Sequence, residues 1–477
     1  MKLSTHLSSS SIVAILPVLI AGAARADASP LDVPAPAITV LESSPRVAEG
    51  LIFIAPKITS TTEPQGPEII DDQGRPVWFR PLRNGDQAAD FRVQRYRGER
   101  VLTWSEGQGL GGVQTTPTVD YVLDASYQVV ATVRAGNGYN ADSHEFRLTP
   151  YGTALITIYH PVPYDLSPYG GPKDGTIVDG IAQEIDVATG RVVFEWHSLD
   201  HVGIDESHTP VPTTNTPYDY FHINAVNLDL DGNVLVSSRA TWAIYKLDHR
   251  SGDVLWRLGG KKSDFALGEG VQFAYQHDPE PAGHDTLRIF DNEAAPAVLP
   301  YSRVVWVHYD TARKTATLVR SIEHPAALLA PSQGNSQALE NGDTFVGWGA
   351  LGRFSEFDRD GNLLFDAKVP STPAGYDDYR AYRFEWRGRP ASAPTVVASA
   401  TGEGTSVHAI WNGATDVAQW VVLGGPGAAS LRPIAATPWN GLDTAVAVDE
   451  RPAYVAVVAL DAFDRIVGRS EVAALTK

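Results

Sequence analysis

One type of turn returns six times along the chain, at a spacing of roughly 50 to 60 residues, and such a fixed period marks a repeat architecture. It is built on aspartate: Asp71-Asp72-Gln73-Gly74, Asp124-Ala125-Ser126, Asp186 to Gly190, Asp248 to Gly252, Asp310 to Lys314 and Asp358 to Gly361. Aspartate suits these places because its short carboxylate accepts hydrogen bonds from the backbone just ahead of it. In most cases an apolar or aromatic pair follows closely, as in Val77-Trp78, Val193-Phe194, Leu255-Trp256 and Leu364-Phe365. A second turn lies between these, in "RYRGERVLTW", "TPYGTALITIY", "DLDGNVLVSSR", "AGHDTLRIFDN" and "ENGDTFVGWG". Two alternating turns make two hairpins, or about four strands, per repeat, which is the blade of a β-propeller. Six aspartate turns predict six blades, with five or seven as alternatives because only five inner turns are clear. A parallel β-helix or a long sandwich gives no reason for two alternating turn types.

The composition agrees with an all-β chain. The 477 residues include 33 prolines, 42 glycines and 11 tryptophans, and few long helical patterns interrupt them, which favours short strands and tight turns. With 43% apolar and 20% charged residues, the chain can bury a core and is not expected to be disordered. Past the Pro- and Gly-containing linker Arg387 to Pro394 the pattern changes. Val407 to Trp411, Trp420 to Leu423 and Tyr454 to Leu460 read as strands of a small β-sandwich of immunoglobulin or fibronectin type. The expected organisation is a signal peptide over 1–26, a six-bladed β-propeller over 27–388 and the sandwich over 395–477.

Met1-Lys2 opens onto an apolar run from Ile12 to Ala24 that ends in Ala24-Arg25-Ala26. This reads as a secretory signal peptide removed before Asp27, so a secreted, periplasmic or extracellular location is expected. The run is shorter than the ~20 apolar residues that span a bilayer, and no stable membrane insertion is expected. There is no cysteine, which excludes thiolate nucleophiles and thiolate-bound metals. A formal charge of −18 argues against a nucleic-acid partner. An anionic ligand would need a local cationic pocket working against that field.

The candidate chemistry gathers at hairpin ends. In "FHINAVNLDLDGNVLVSSR", Asp231-Gly232-Asn233 is the turn, so His222 and Asn224 on the way in should lie beside Ser238 and Arg239 on the way out. Aligned on their turns, the other inner hairpins begin with Phe91-Arg92, His144, His277 and the Gln333 to Gln337 segment, and they end near Tyr159-His160, Asp291-Asn292 and Trp348. The innermost strands of a propeller line its central channel, so these residues should ring one mouth of it. His197, His201 and His208 read as ordinary surface or core histidines. "HSLDH" follows a strand and is not read as a helical metal site. A zinc site built from His144, His222 and His277 stays open as an alternative.

At this point the residues resemble a known family. "HEFRLTPYGTALIT", "YDYFHINAVNLDLDGNVLVSSR...IYKLDHRSGDVLWRLGG", "FAYQHDPEP...LRIFDN" and "GNSQALENGDTFVGWG" together are similar to the arylsulfotransferases, the bacterial-type aryl-sulfate sulfotransferases that use no nucleotide sulfate donor. The resemblance extends over most of residues 50 to 385. It implies a six-bladed propeller in which a channel histidine takes a sulfuryl group from an aryl sulfate, holds it as sulfohistidine and passes it to a phenol. Carried over by motif, His277 would be that nucleophile. His222, Asn224 and Arg239 would hold the sulfate oxygens, His144 would be a further channel histidine, and a hydroxyl contact would fall near Ser336. No cofactor and no metal are implied, and the expected partners are a small aryl sulfate and a phenol.

That chemistry agrees with the residue types. Sulfuryl transfer, like phosphoryl transfer, spreads charge over equatorial oxygens, so fixed cations and donors do most of the work. Arg239 offers a planar fork of donors, a neutral imidazole is a competent nucleophile near neutral pH, and a protonated His222 or His144 could supply the departing phenolate. Two rival readings remain. A non-catalytic propeller binding a glycan or protein partner would use aromatic platforms such as Trp104 and Trp348. A hydrolase or lyase would reuse the same channel, and a metal-dependent one would lose activity on chelation.

Overall fold

All six aspartate turns form, and each joins two strands of a different sheet. The computed structural model describes residues 33–59, 62–108, 113, 116, 118–370 and 375–476; the signal-peptide reading of 1–26 lies outside them. In every turn the aspartate Oδ1 accepts a backbone N–H two or three residues ahead. The donors are Gln73 at 2.9 Å, Ser126 at 2.8 Å, Thr189 at 2.9 Å, Arg250 at 2.9 Å, Ala312 at 2.9 Å and Asp360 at 3.0 Å. The second set of turns needs left-handed backbone, and glycine supplies it at Gly98 (φ 89°) and Gly232 (φ 84°).

Among the described residues the larger compact unit, Leu31–Ser392 with Trp411–Asp416, holds six sheets of four or five strands. Five of them begin with a strand that leads directly into its own hairpin: Asp86–Tyr96, Ala141–Leu148, Ile223–Leu228, His277–Pro281 and Asn335–Ala338. The remaining sheet takes its first strand from the other end of the unit, where Tyr382–Phe384 pairs antiparallel with Leu51–Ile54. This is why the sequence shows six aspartate turns and only five inner turns. Each first strand touches the next in chain order, and Tyr382–Phe384 touches Asp86–Tyr96, so the six first strands close a cycle. Thr39–Ser43 adds an outer strand beside Leu363–Lys368.

Apolar side chains between neighbouring sheets hold the cycle. Within Val234–Ser238, Val234 and Val236 pack with Leu155, Ile177 and Phe221 on one side, while Leu235 packs with Leu287, Ile289 and Val305 on the other. Period-two alternation thus buries both faces, and the strand opens on three consecutive apolar residues, Val234-Leu235-Val236. Equivalent clusters join Phe146 to Val122, Phe290 to Trp348 and Ile52 to Phe354. At the sixth interface Phe53, Phe91, Trp78 and Trp104 pack ring to ring in a chain. Each such side chain stabilises by about 1.5–3 kcal/mol on burial.

The smaller unit contains Ala393–Ile410 and Val417–Lys477. It has one sheet of Thr395–Ala400, Thr405–Ile410 and Asp443–Val448, and a second of Arg432–Pro438, Gln419–Gly425, Tyr454–Leu460 and Ile466–Arg469, with Ala473–Ala474 paired to the third of these. Val407, Trp420, Val422, Val455 and Val457 are buried in it. No helix among the described residues is long and apolar enough to cross a membrane.

The first strands carry charge where a core would ordinarily be apolar. Arg380, fully buried, donates to Asp90 Oδ1 at 3.2 Å and to both oxygens of Glu145 at 3.0 and 3.2 Å. Arg92 Nη2 lies 2.7 Å from Glu145 and 2.9 Å from Asp90, and the Tyr382 hydroxyl donates to Asp90 at 2.7 Å. Arg147 pairs with Glu280, which also accepts from Asn227 Nδ2 at 3.0 Å. Burial alone would raise the Glu145 carboxyl, but Arg380, Arg147 and Arg92 hold its pKa at about 2. Arg380→Met would remove one of the two guanidinium groups that Asp90 and Glu145 share, leaving both buried carboxylates to Arg92. We expect a loss of about 3–5 kcal/mol in denaturant unfolding, against less than ~1 kcal/mol for the exposed pair tested by Arg313→Ala; equal effects would contradict this ranking.

Candidate active site

The hairpin of Ile223–Leu228 and Val234–Ser238 sends its polar ends to different tasks. His222 and Arg239 meet, with the Arg239 N–H donating to the His222 carbonyl at 3.0 Å. Asn224 sits in a bulge, since Ile223 pairs with Ser238 and Ala225 with Ser237. Its Nδ2 donates to the Gln276 carbonyl at 2.7 Å, so its donor ties this strand to the next one, directly before His277. Its Oδ1 is buried without a partner. Ser238 is likewise engaged, donating its hydroxyl to Phe221 O. Of the four residues, two face the site and two brace it.

His277 opens its strand and is buried. It pairs with Phe290, while the next registered pair is Glu280 with Arg288, so Asp278 and Pro279 form a bulge. Proline is tolerated there because a bulge leaves an N–H out of the ladder. The bulge also divides the labour of adjacent residues: His277 faces the site and Asp278 faces the buried charges. His277 Nδ1 lies 2.7 Å from Asn292 Oδ1 and 3.0 Å from Tyr275 O. Both are acceptors, because Asn292 Nδ2 is already donating to Ala330 O at 3.1 Å and Gln333 O at 2.9 Å. The ring proton therefore sits on Nδ1, and Nε2 presents its lone pair, accepting the Gln333 backbone N–H at 3.2 Å. Burial, then the charges of Arg239, His144 and His222, pull the His277 pKa well below 6.5, so the ring is neutral at physiological pH.

The other two imidazoles are each anchored by a carboxylate just upstream. His222 Nδ1 lies 2.5 Å from Asp219 Oδ2, and Asp219 Oδ1 accepts the His222 backbone N–H at 2.9 Å. His144 Nδ1 contacts Asp142, whose Oδ1 accepts the His144 N–H at 2.9 Å. An Nδ1–H facing a carboxylate leaves Nε2 as the working atom. The two rings meet edge to face with centroids 5.1 Å apart, and Tyr159 packs against both. Burial lowers the His222 pKa, opposed by Asp219. Arg239 stacks over Tyr275 at 4.8 Å and gives Nη2 to Pro331 O at 3.2 Å, while its buried Nε has no partner.

The backbone here is held in a conformation side chains avoid. His222, Trp242, Tyr275 and Gln333 have φ of 53°, 53°, 57° and 65°. Left-handed geometry outside glycine costs on the order of 1–3 kcal/mol each and gathers where the fold over-determines a site.

Other sequence expectations land elsewhere. Ser336 is buried, but its hydroxyl accepts Arg288 Nε at 2.8 Å and its N–H donates to Asp278 at 3.2 Å, so it belongs with the buried charges. Arg92 does too. Trp104 and Trp348, the aromatic platforms of the rival binding reading, are both fully buried. The "HSLDH" segment does contain a short helix, Ser198–His201, contrary to the reading of a non-helical stretch. Its histidines still diverge: His197 pairs with Asp179 at 2.7 Å, and His201 stacks on Trp196. Among the described residues no group of three or more His, Asp or Glu is arranged to hold a metal ion. A cavity of about 640 Å³ lined by Arg95, Arg100, Gln337, Glu340 and Arg383 lies at the opposite, inner-turn ends of the strands. Asp142 and Asp219 were missed as functional residues, and Gln333, within the segment expected at the mouth, was not singled out for its backbone N–H. The first two could have been suspected from an acid two or three places before a histidine, whereas nothing in the sequence singles out a backbone N–H.

Comparison with known proteins supplies the remaining observation. No curated protein matches the sequence. Among solved structures, a protein of unknown function from Bacteroides caccae is 12% identical, with a TM-score of 0.42, over 70% of this chain and 98% of that one. The extracellular domain of a putative hybrid two-component system from B. thetaiotaomicron is 10% identical, with a TM-score of 0.34, over 93% and 60%. A catalytically inactive virginiamycin B lyase from Staphylococcus aureus is 9% identical, with a TM-score of 0.34, over 81% and 96%. The family described as Arylsulfotransferase (ASST) matches residues 92–369, a span that includes His144, His222, Asn224, Arg239, His277 and Ser336. With more than half of its length inside that match, the chain belongs to the arylsulfotransferase family.

Proposed function

We propose that this sulfotransferase moves a sulfuryl group from an aryl sulfate to a phenol through a sulfohistidine on His277, with no nucleotide donor. The observation that carries the reading is the state of His277: a buried, neutral ring with its proton fixed on Nδ1, its Nε2 lone pair on the Gln333 N–H, and Arg239, His144 and His222 close enough for their charges to lower its pKa. In the first step Nε2 forms a bond to sulfur while the bond from sulfur to the aryl oxygen breaks. The phenolate leaves with that electron pair. Arrival of the anionic donor favours the His222 imidazolium, which gives its Nε2 proton to the departing oxygen. In the second step the neutral His222 takes the proton of the acceptor phenol, whose oxygen attacks sulfur as the N–S bond breaks. Asp219 keeps the ring oriented through both steps. Arg239 and His144 face the sulfuryl oxygens, and Asn292 Oδ1 stabilises the positive charge that the sulfated ring acquires. Asn224 serves by fixing Gln276, and Ser336 by fixing Asp278.

The finer architecture belongs to the same proposal. The closed cycle of first strands supports a six-bladed propeller over 27–388, the two small sheets support a β-sandwich over 395–477, and the apolar N-terminal run supports export after removal of 1–26. The substrates are small molecules, and the net charge of −18 supports the absence of a nucleic-acid partner.

With a chromogenic aryl sulfate, dye release should depend on added phenol and follow parallel-line (ping-pong) kinetics. It should vanish in His277→Ala; equal release by both proteins would remove His277 from the mechanism. Protonating Nε2 removes the nucleophile, and the His277 pKa lies below its ordinary 6.5, so the acid limb of kcat/KM should fall below pH 6.5. Arg239→Met should cut kcat/KM by roughly 10²–10³-fold and shift that limb upward, because Arg239 is one of the charges that depress His277. An unmoved limb would show that the two groups do not interact.

A further inference from the structure

Lys57 is a buried amine, its pKa lowered to about 7 by burial, that the chemistry above does not use. Its backbone is pinned to Asp377 by N–H to carbonyl bonds of 3.0 Å in each direction, and its side chain forms an ion pair with Asp377. The buried carboxyl of Asp378 is close enough to oppose the fall in the Lys57 pKa, and it in turn acts on the buried Glu68. A buried ion pair brings little net stability over apolar packing, so its position calls for another reason. Nζ also donates to Gln333 Oε1 at 3.2 Å, and Gln333 is the residue whose backbone N–H rests on His277 Nε2 at 3.2 Å.

The segment around Gln333 is locked on every side. Gln333 has φ 65°, its carbonyl accepts Asn292 Nδ2 at 2.9 Å, and Gly334 N–H donates to Tyr379 O at 3.0 Å. A Cβ at Gly334 would meet the Phe290 ring at 2.4 Å, and one at Gly349 would meet Ser332 O at the same distance. The Gln333 side chain reaches out of the segment to the Lys57–Asp377 pair, as the Pro331 carbonyl does to Arg239.

We propose that Lys57 is a positioning residue for the nucleophile: by gripping the Gln333 side chain it keeps the Gln333 N–H directed at His277 Nε2, where it meets a sulfuryl oxygen as the N–S bond forms. Before transfer this donor occupies the lone pair and fixes the plane of the ring. During transfer sulfur takes up the lone pair, and the released N–H lies next to the oxygens on which negative charge develops. What the donor serves rests on the sulfuryl-transfer reading; that Lys57 holds it rests on the contacts alone.

The test is a double-mutant cycle with Lys57→Met, Gln333→Leu and the double variant, read by the single-turnover burst with a chromogenic aryl sulfate. Each single change should slow the burst on the order of 10²-fold with KM little altered, the double should be no slower than either, and Lys57→Arg should recover part of the loss. Nitrogen-15 NMR of histidine-labelled protein adds a readout without turnover: the His277 Nε2 signal should move toward that of an unbonded imine nitrogen in both single variants. Additive losses with a stationary Nε2 signal would overturn the role of Lys57. Absence of any burst in the unaltered protein would overturn the transfer reading instead, leaving the nitrogen signal to decide the contact.

Discussion

Charges that cannot leave the interior organise this molecule. Asp90, Arg92, Glu145, Arg147, Asp278, Glu280, Arg288 and Arg380 come from three sheets and from the segment leading into Tyr382–Phe384, and four acids face four arginines. Apolar packing between neighbouring sheets is local and would tolerate slippage. A buried carboxylate accepts no such latitude, because an unpaired one costs several kcal/mol. The network therefore sets how the first strands register against one another, and the imidazoles are mounted on those same strands.

Bulges convert that register into a site. At Asp90, Asn224 and Asp278 a first strand carries an extra residue relative to its partner, and near His144 the register also shifts. Each irregularity lets adjacent residues serve opposite ends: Asp278 enters the charge network while His277 enters the imidazole cluster. Glu145 and His144 divide in the same way. The geometry of the candidate site is thus a consequence of the salt-bridge network one residue away, and left-handed residues such as His222 and Tyr275 persist because both sides of the strand are fixed.

Much of this was legible in the chain. The aspartate turns announced six sheets because a carboxylate accepting N–H groups two and three residues ahead is local chemistry. His222 and Arg239 were found together because a hairpin must return to its start. The sixth inner turn was not legible, since its strand is supplied from more than 300 residues away and no local pattern records such a pairing. Arg92 was misplaced toward the mouth because aligning hairpins on their turns does not reveal the bulge between Ala89 and Arg92, and Ser336 because it was placed by motif resemblance, which does not show that Arg288 holds its hydroxyl. The roles of Gln333 and Lys57 were invisible for a different reason: one acts through its backbone N–H, and the other lies far from every motif that marks the site.

The central claim is that His277 Nε2 becomes covalently sulfated. Mass spectrometry of protein quenched during turnover without an acceptor phenol, handled above acidic pH to preserve an N–S bond, tests it most directly. The account predicts a mass increase of one sulfuryl group, mapped by fragmentation to His277 and discharged by adding phenol. An unmodified His277 in protein that has released a stoichiometric burst of dye, or sulfation mapped to another residue, would contradict it.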